Sequence, residues 1–219
     1  MGFRLRTYIR GGLLFLISGH LVSEQSLAVK TIDQQTPAIT VFVYNSARVS
    51  SPDLARSEQE AGTIFRQAGI ASAWVDCTGS SADICHHPAG PNQFVLHIVP
   101  GGQTSTDAVF GVAFLGPDGI GKYSDVFYNR IEQMHRDFGT SPAQLLGTVA
   151  AHEIGHLLLG SNSHSLTGVM SPRWNRQELE RVGMGRLGFS AEQSSRMRAR
   201  IEDEHNSGDH AQFASTGTK

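Results

Sequence analysis

Residues 150–172 read AAHEIGHLLLGSNSHSLTGVMSP, and no other part of the chain is as chemically specific. The first half belongs to a segment that opens at Ser141-Pro142, runs through AQLLGTVAAHEIGHLLL and stops at Gly160. A proline in the first turn and a glycine after the last apolar residue predict one helix over that span. On a helix, His152 and His156 fall on the same side one turn apart, so both imidazoles can reach one metal ion. Glu153 follows the first histidine directly and leans over the same point. The flanks Val149-Ala150-Ala151 and Leu157-Leu158-Leu159 mark the helix as buried, where two imidazoles and a carboxylate are costly unless they have partners. Zinc accounts for all three groups, because it lowers the pKa of water at the site from about 15.7 towards 7 and a nearby carboxylate can then take the proton. Glu153 is therefore the candidate general base.

Beyond the helix, Gly160 can reverse the chain, which puts His164 where a third ligand could return to the metal. Three protein ligands with an open fourth position make a catalytic zinc site, not a structural one. The alternative for a histidine in a polar loop is that it is merely solvated.

The stretch HEIGHLLLGSNSHSLTGVMSP resembles the zinc-binding signature of the metzincin peptidases, and His164-Ser165 with Val169-Met170-Ser171-Pro172 is most similar to the matrixin branch. The resemblance covers about 20 residues; elsewhere it is only an agreement in the order of elements. It implies a secreted zinc endopeptidase with His152, His156 and His164 as metal ligands, Glu153 as catalytic base, and Met170 in a turn passing beneath the metal. One departure stands out. The usual spacing would put the glycine and the third ligand at positions held here by Leu159 and Asn162, whereas Gly160 and His164 come later. Either the loop is enlarged or His164 is not the ligand, and the nearby Met170 turn favours enlargement.

Working outward, Ala38 to Tyr44 (AITVFVY) is a strand candidate, followed by a helix starting at Ser51-Pro52-Asp53. Leu54, Ala61, Ile64 and Phe65 are spaced for one buried face before Gly69. Ile70 to Val75, Phe94 to Val99, Ala108 to Leu115 and Tyr123 to Asn129 read as further strands, the fourth of these five short and glycine-containing, as suits a sheet edge. Strand, helix, strand in that order predicts a crossover into a mostly parallel sheet. A last helix should start at Ser190, where Gln193 completes a capping box, and run to about Glu202 with Met197 and Ile201 on one face. The expected fold is thus α/β, a metzincin-like domain over residues 29–204. It has a twisted, mixed five-stranded sheet, two helices in a larger upper part, and a small C-terminal subdomain carrying His164, Met170 and the final helix. Residues 205–219 are polar and read as a flexible tail.

At the other end, Arg4, Arg6 and Arg10, an apolar stretch from Leu13 to Val22, and Ser26-Leu27-Ala28 describe a secretory signal peptide over residues 1–28. A retained anchor is the alternative, but the apolar run falls short of the ~20 residues that span a bilayer, and Gly19-His20 interrupts it. A secreted or periplasmic location follows. There, Cys77 and Cys85, the chain's 2 cysteines, would form a disulfide. The other reading makes them zinc ligands with His86 and His87, at a spacing that fits no common structural zinc pattern.

The 219 residues suit one domain, and a net charge of -2 with scattered charges offers no basic stripe for nucleic acid. The expected partner is a peptide or protein substrate laid along the edge strand near Gly111 to Leu115, with a monomer as the working unit and no stable membrane span after leader removal. Two other functions remain open: a secreted zinc-binding or interaction domain without turnover, and a zinc hydrolase outside the metzincins with a distant Glu178 or Glu180 as third ligand. Retention of Glu153 weighs against the first, since zinc binding needs the histidines and not that carboxylate.

Overall fold

A computed structural model of the chain describes residues 36–79, 83–85, 90–101 and 109–216, with side chains described to 206. The expected leader, His86, His87 and the start of the strand expected from Ala108 lie outside these residues.

Strand β1 (Ala38–Asn45) shows why its sequence is almost uninterruptedly apolar. Successive side chains of a strand point to opposite faces. Here Ile39, Val41 and Val43 join the main core, while Phe42 and Tyr44 join a second cluster with Val75, Val95 and the two cysteines. Both faces are covered, which removes the alternation of a half-exposed strand.

Strand β1 lies between β2 (Ala71–Asp76) and β3 (Gln93–Val99), parallel to both, and β5 (Tyr123–Phe127) is parallel to β3. Strand β4 (Gly111–Phe114) pairs antiparallel with β5 and closes the order β2-β1-β3-β5-β4, a mixed five-stranded sheet with β4 at one edge. The expected architecture, including the edge position of the glycine-containing strand, is present.

Helix α1 (Ser51–Gln67) buries Leu54, Ala61, Ile64 and Phe65 as its spacing required, together with Ser57. Its cap is one residue earlier than the expected start: the Ser50 hydroxyl accepts from the Asp53 N–H at 3.3 Å. Helix α3 (Pro142–Leu159) packs against α1 and is buried over most of its circumference. Cys77 and Cys85 are joined, with 5.6 Å between their Cα atoms, and both are buried under the far face of the sheet. The zinc alternative for this pair is thereby excluded.

The structure corrects two further boundaries and adds two helices. The strand expected to reach Asn129 ends at Phe127, and a helix not expected, α2 (Tyr128–Phe138), follows without a loop. The upper part accordingly holds three helices, not two. Helix α4 (Arg176–Gly183) was also not expected; the Asn175 side chain caps it while the Glu178 carboxylate returns to the Asn175 N–H at 2.9 Å. Helix α5 (Ala191–Thr216) has the expected Ser190–Gln193 box at its start but runs well past Glu202, into the segment read as a tail.

Replacing both Cys77 and Cys85 by Ala removes a small closed loop, a loss of about 2.5 kcal/mol in the chain-entropy account. Thermal unfolding should fall by roughly 5–10 °C for a domain of this size. An unchanged melting temperature would contradict this role for the bridge.

Candidate metal centre

Helix α3 starts at Pro142 after Ser141 and ends at Gly160, whose φ of 78° turns the chain out of the helix. Asn162 also has a positive φ, 58°. These two left-handed residues fold the 160–164 loop back towards the helix. His164 Nε2 thereby comes to 3.1 Å from His156 Nε2, while His156 Nε2 lies 3.0 Å from His152 Nε2. The three histidines offer nitrogen atoms that all lie within 4.8 Å of one another. A tetrahedral ion with bonds of about 2.0–2.1 Å spaces its ligands roughly 3.3 Å apart, so this cluster has the size that zinc requires. The residues at the usual spacing do not compete: Leu159 is part of the hydrophobic core and Asn162 forms the turn.

The far ring nitrogens are fixed from outside. His152 Nδ1–H donates to the Val169 carbonyl at 2.6 Å, and His156 Nδ1 meets the Ser163 hydroxyl at 2.7 Å. The carbonyl contact fixes the tautomer of His152 with its lone pair on Nε2, and the hydroxyl contact orients the ring of His156 so that its Nε2 faces the same point. Burial pushes the pKa of His152 down to about 4, against the Val169 bond, which opposes the shift, and with a smaller push from His164. Burial likewise takes His156 down to about 3, helped by His152 and His164. Neutral imidazole is the form that binds a metal.

Glu153 is 4% exposed, and burial raises its carboxyl pKa to about 8. Strand β4 passes directly over it. A Cβ placed on Gly111 would sit 2.6 Å from the Asp125 carbonyl oxygen and 2.7 Å from Glu153 Oε1, so only glycine admits the carboxylate this close to the sheet edge. Below the helix, Met170 is fully buried against Gly155, where an added Cβ would lie 2.7 Å from Met170 Sδ and 2.8 Å from Phe189 Cε1. The methionine turn is held by Val169 N–H donating to Gly188 O and Ser165 N–H donating to Met170 O, each at 3.0 Å.

A cavity of about 300 Å³ opens on His152, Glu153, His156 and His164, with Phe110 and Trp174 in its wall. Those two rings stack at 5.8 Å, and Trp174 also meets the His152 ring edge-on. Glu178, the distant ligand considered from the sequence, is committed to the cap of α4, and Glu180 is exposed on the same helix. Neither belongs to the histidine cluster.

No protein-family model matches the chain, and no curated protein matches it. Among solved structures, it is similar to a zinc-dependent peptidase from Methanocorpusculum labreanum (15% identity over 72% of this chain and 99% of that one, TM-score 0.49). It is also similar to an archaemetzincin from Methanopyrus kandleri (13% identity, 78% and 99% coverage, TM-score 0.46). A third likeness is to metalloproteinase-II from Bacteroides fragilis (16% identity, 76% and 54% coverage, TM-score 0.46).

Sequence reading missed Ser163, Gly155, Phe110 and Trp174 as parts of the site, and named Gly111 only as the start of the edge strand, not for its contact with Glu153. Only Gly155 carried a signal, as the small residue inside an otherwise bulky apolar helix facing a methionine turn. The close approach at Gly155 yields a prediction for stability. Gly155→Ala should destabilise by about 1–3 kcal/mol in urea unfolding through overpacking against Met170, whereas Met170→Leu, close in volume, should lose less than about 1.5 kcal/mol. Equal stability of Gly155→Ala and the parent would remove the packing argument.

Proposed function

We propose that the chain is a secreted zinc-dependent endopeptidase in which His152, His156 and His164 hold the metal and Glu153 is the general base. The observation that carries this reading is the meeting of three imidazole nitrogens beside a buried carboxylate, under the edge strand of the sheet. The histidines come from two turns of one helix and one loop, leaving the side towards the cavity open, as a catalytic site needs. A bound zinc ion supplies Lewis acidity, which activates water and stabilises charge developing on a scissile carbonyl.

The protein's own groups do the rest. Extended substrate can pair with the free edge of β4, which brings a peptide bond alongside Glu153. From its buried position Glu153 takes the proton of the attacking water and passes it to the departing amine, so peptide nitrogen leaves as a neutral amine and one water is consumed per bond cut. The Phe110–Trp174 wall offers an apolar surface to a neighbouring substrate side chain. Likeness to the matrixin branch rests on His164-Ser165 and Val169-Met170-Ser171-Pro172 alone.

Export is supported by the basic and apolar order of residues 1–28 and by the disulfide, which persists in oxidising compartments. No described helix is long and apolar enough to cross a membrane. A monomer remains the working proposal. A binding domain without turnover is the weaker reading: it has no use for a carboxylate as buried as Glu153.

Three variants assayed together for zinc content and peptide hydrolysis near neutral pH test the assignment. Glu153→Gln should keep zinc and lose about 10²–10⁴-fold in turnover. His164→Ala should lose both zinc affinity and turnover, and Met170→Leu neither to that degree. Parental hydrolysis by Glu153→Gln, or full zinc affinity in His164→Ala, would overturn the corresponding role.

A further inference from the structure

The 160–164 loop is longer than the metzincin spacing allows, and both Gly160 and Asn162 within it adopt left-handed backbone. Such a loop has no helical hydrogen bonds to fix His164, so something else must. Helix α5 supplies contacts at both ends. Arg196 Nη2 donates to the Leu159 carbonyl at 3.2 Å where α3 finishes. Gln193 Nε2 donates to the Ser163 carbonyl at 3.4 Å and to the Ser165 hydroxyl at 3.2 Å. One amide therefore grips the residues on either side of His164, and Ser163 is also the residue whose hydroxyl orients His156.

Gln193 is itself held firmly. It is 7% exposed, its Oε1 accepts from the Ser190 N–H at 2.9 Å, and its own N–H donates to the Ser190 hydroxyl at 3.2 Å. Farther along α5, the Asn92 side chain donates to the Ile201 carbonyl at 2.9 Å and Lys122 pairs with Glu204 at 2.7 Å, which fixes the helix to the sheet. A capping box accepts glutamate as readily as glutamine at this position, because the cap uses only the acceptor oxygen. The two amide hydrogens have no part in the cap; both are spent on the histidine loop.

We infer that Gln193 is a positioning residue, fixing the enlarged loop so that His164 and Ser163 meet the metal-binding pair on α3. The inference rests on the zinc peptidase reading above. Outer contacts of this kind commonly change metal affinity by about 10–100-fold.

Gln193→Glu separates cap from grip, since it keeps the acceptor and removes the donors. Zinc affinity, measured on the full mature chain by chelator competition, should weaken about tenfold, and the visible spectrum of the cobalt-substituted protein should shift. Amide exchange of residues 161–165 in the metal-free protein should quicken while its melting temperature stays close to the parent's. Ser190→Ala is the control: it weakens the cap and lowers the melting temperature, yet should leave zinc affinity alone. If Gln193→Glu does not fold, Ser165→Ala removes one acceptor of the grip without touching α5 and should weaken zinc binding by a smaller factor. Parental zinc affinity and parental exchange in Gln193→Glu, or in Ser165→Ala where that variant must stand in, would overturn the inference. A parent chain that binds no zinc would instead overturn the functional reading, and the exchange rates of the metal-free protein would then decide alone whether Gln193 orders the loop.

Discussion

Helix α3 is buried on nearly every side, and yet it carries two imidazoles and a carboxylate on the one flank that faces a cavity. Burying such groups without partners would cost several kcal/mol each, so the surrounding structure has to answer them. Much of the domain can be understood as that answer. Val169 and Ser163 take the far nitrogens of the two helical histidines, and the loop after Gly160 brings a third imidazole to the same point. Burial keeps the two helical imidazoles, His152 and His156, neutral and pushes Glu153 up to about 8, so the cluster is set up to accept a divalent cation, whose charge would in turn favour an ionised Glu153.

Two glycines allow the layers above and below α3 to approach. Gly111 lets the edge strand lie on Glu153, and Gly155 lets Met170 and Phe189 press against the helix from the other side. The sheet thus fixes the carboxylate relative to its edge strand β4, and the methionine turn fixes the helix relative to the C-terminal segment. Helix α5 adds a third constraint at the loop, through Gln193 and Arg196. The edge strand, Glu153 and the three histidines are held in one frame although they come from widely separated parts of the chain.

The sequence carried the positions of the strands along the chain, α1, α3 and the start of α5 legibly, because each has strong punctuation: Pro142 and Gly160 around α3, Ser190 and Gln193 at α5, Gly69 after α1. It did not carry α2. That helix buries only Ile131, follows β5 without a loop, and has Phe127 at its cap with no side-chain hydrogen bond, so neither periodicity nor a start signal announced it. Helix α4 is short, and its Asn175–Glu178 box was a readable signal overlooked among polar residues. At the site, residue types were enough for His152, Glu153 and His156, since helical spacing alone joins them. His164 was legible by type but not by spacing, and its position depends on the backbone of Gly160 and Asn162 and on contacts from α5, none of which a linear pattern expresses. Gln193 was recognised for its cap, while its grip on the loop is purely tertiary.

X-ray absorption at the zinc edge of the purified mature protein tests the central claim most directly, because it identifies ligands without relying on turnover. The site described here predicts one zinc per chain with three imidazole nitrogens at about 2.0–2.1 Å and a remaining light-atom ligand. Sulfur scattering at about 2.3 Å, or a shell with fewer than three imidazoles, would contradict the His152, His156 and His164 set.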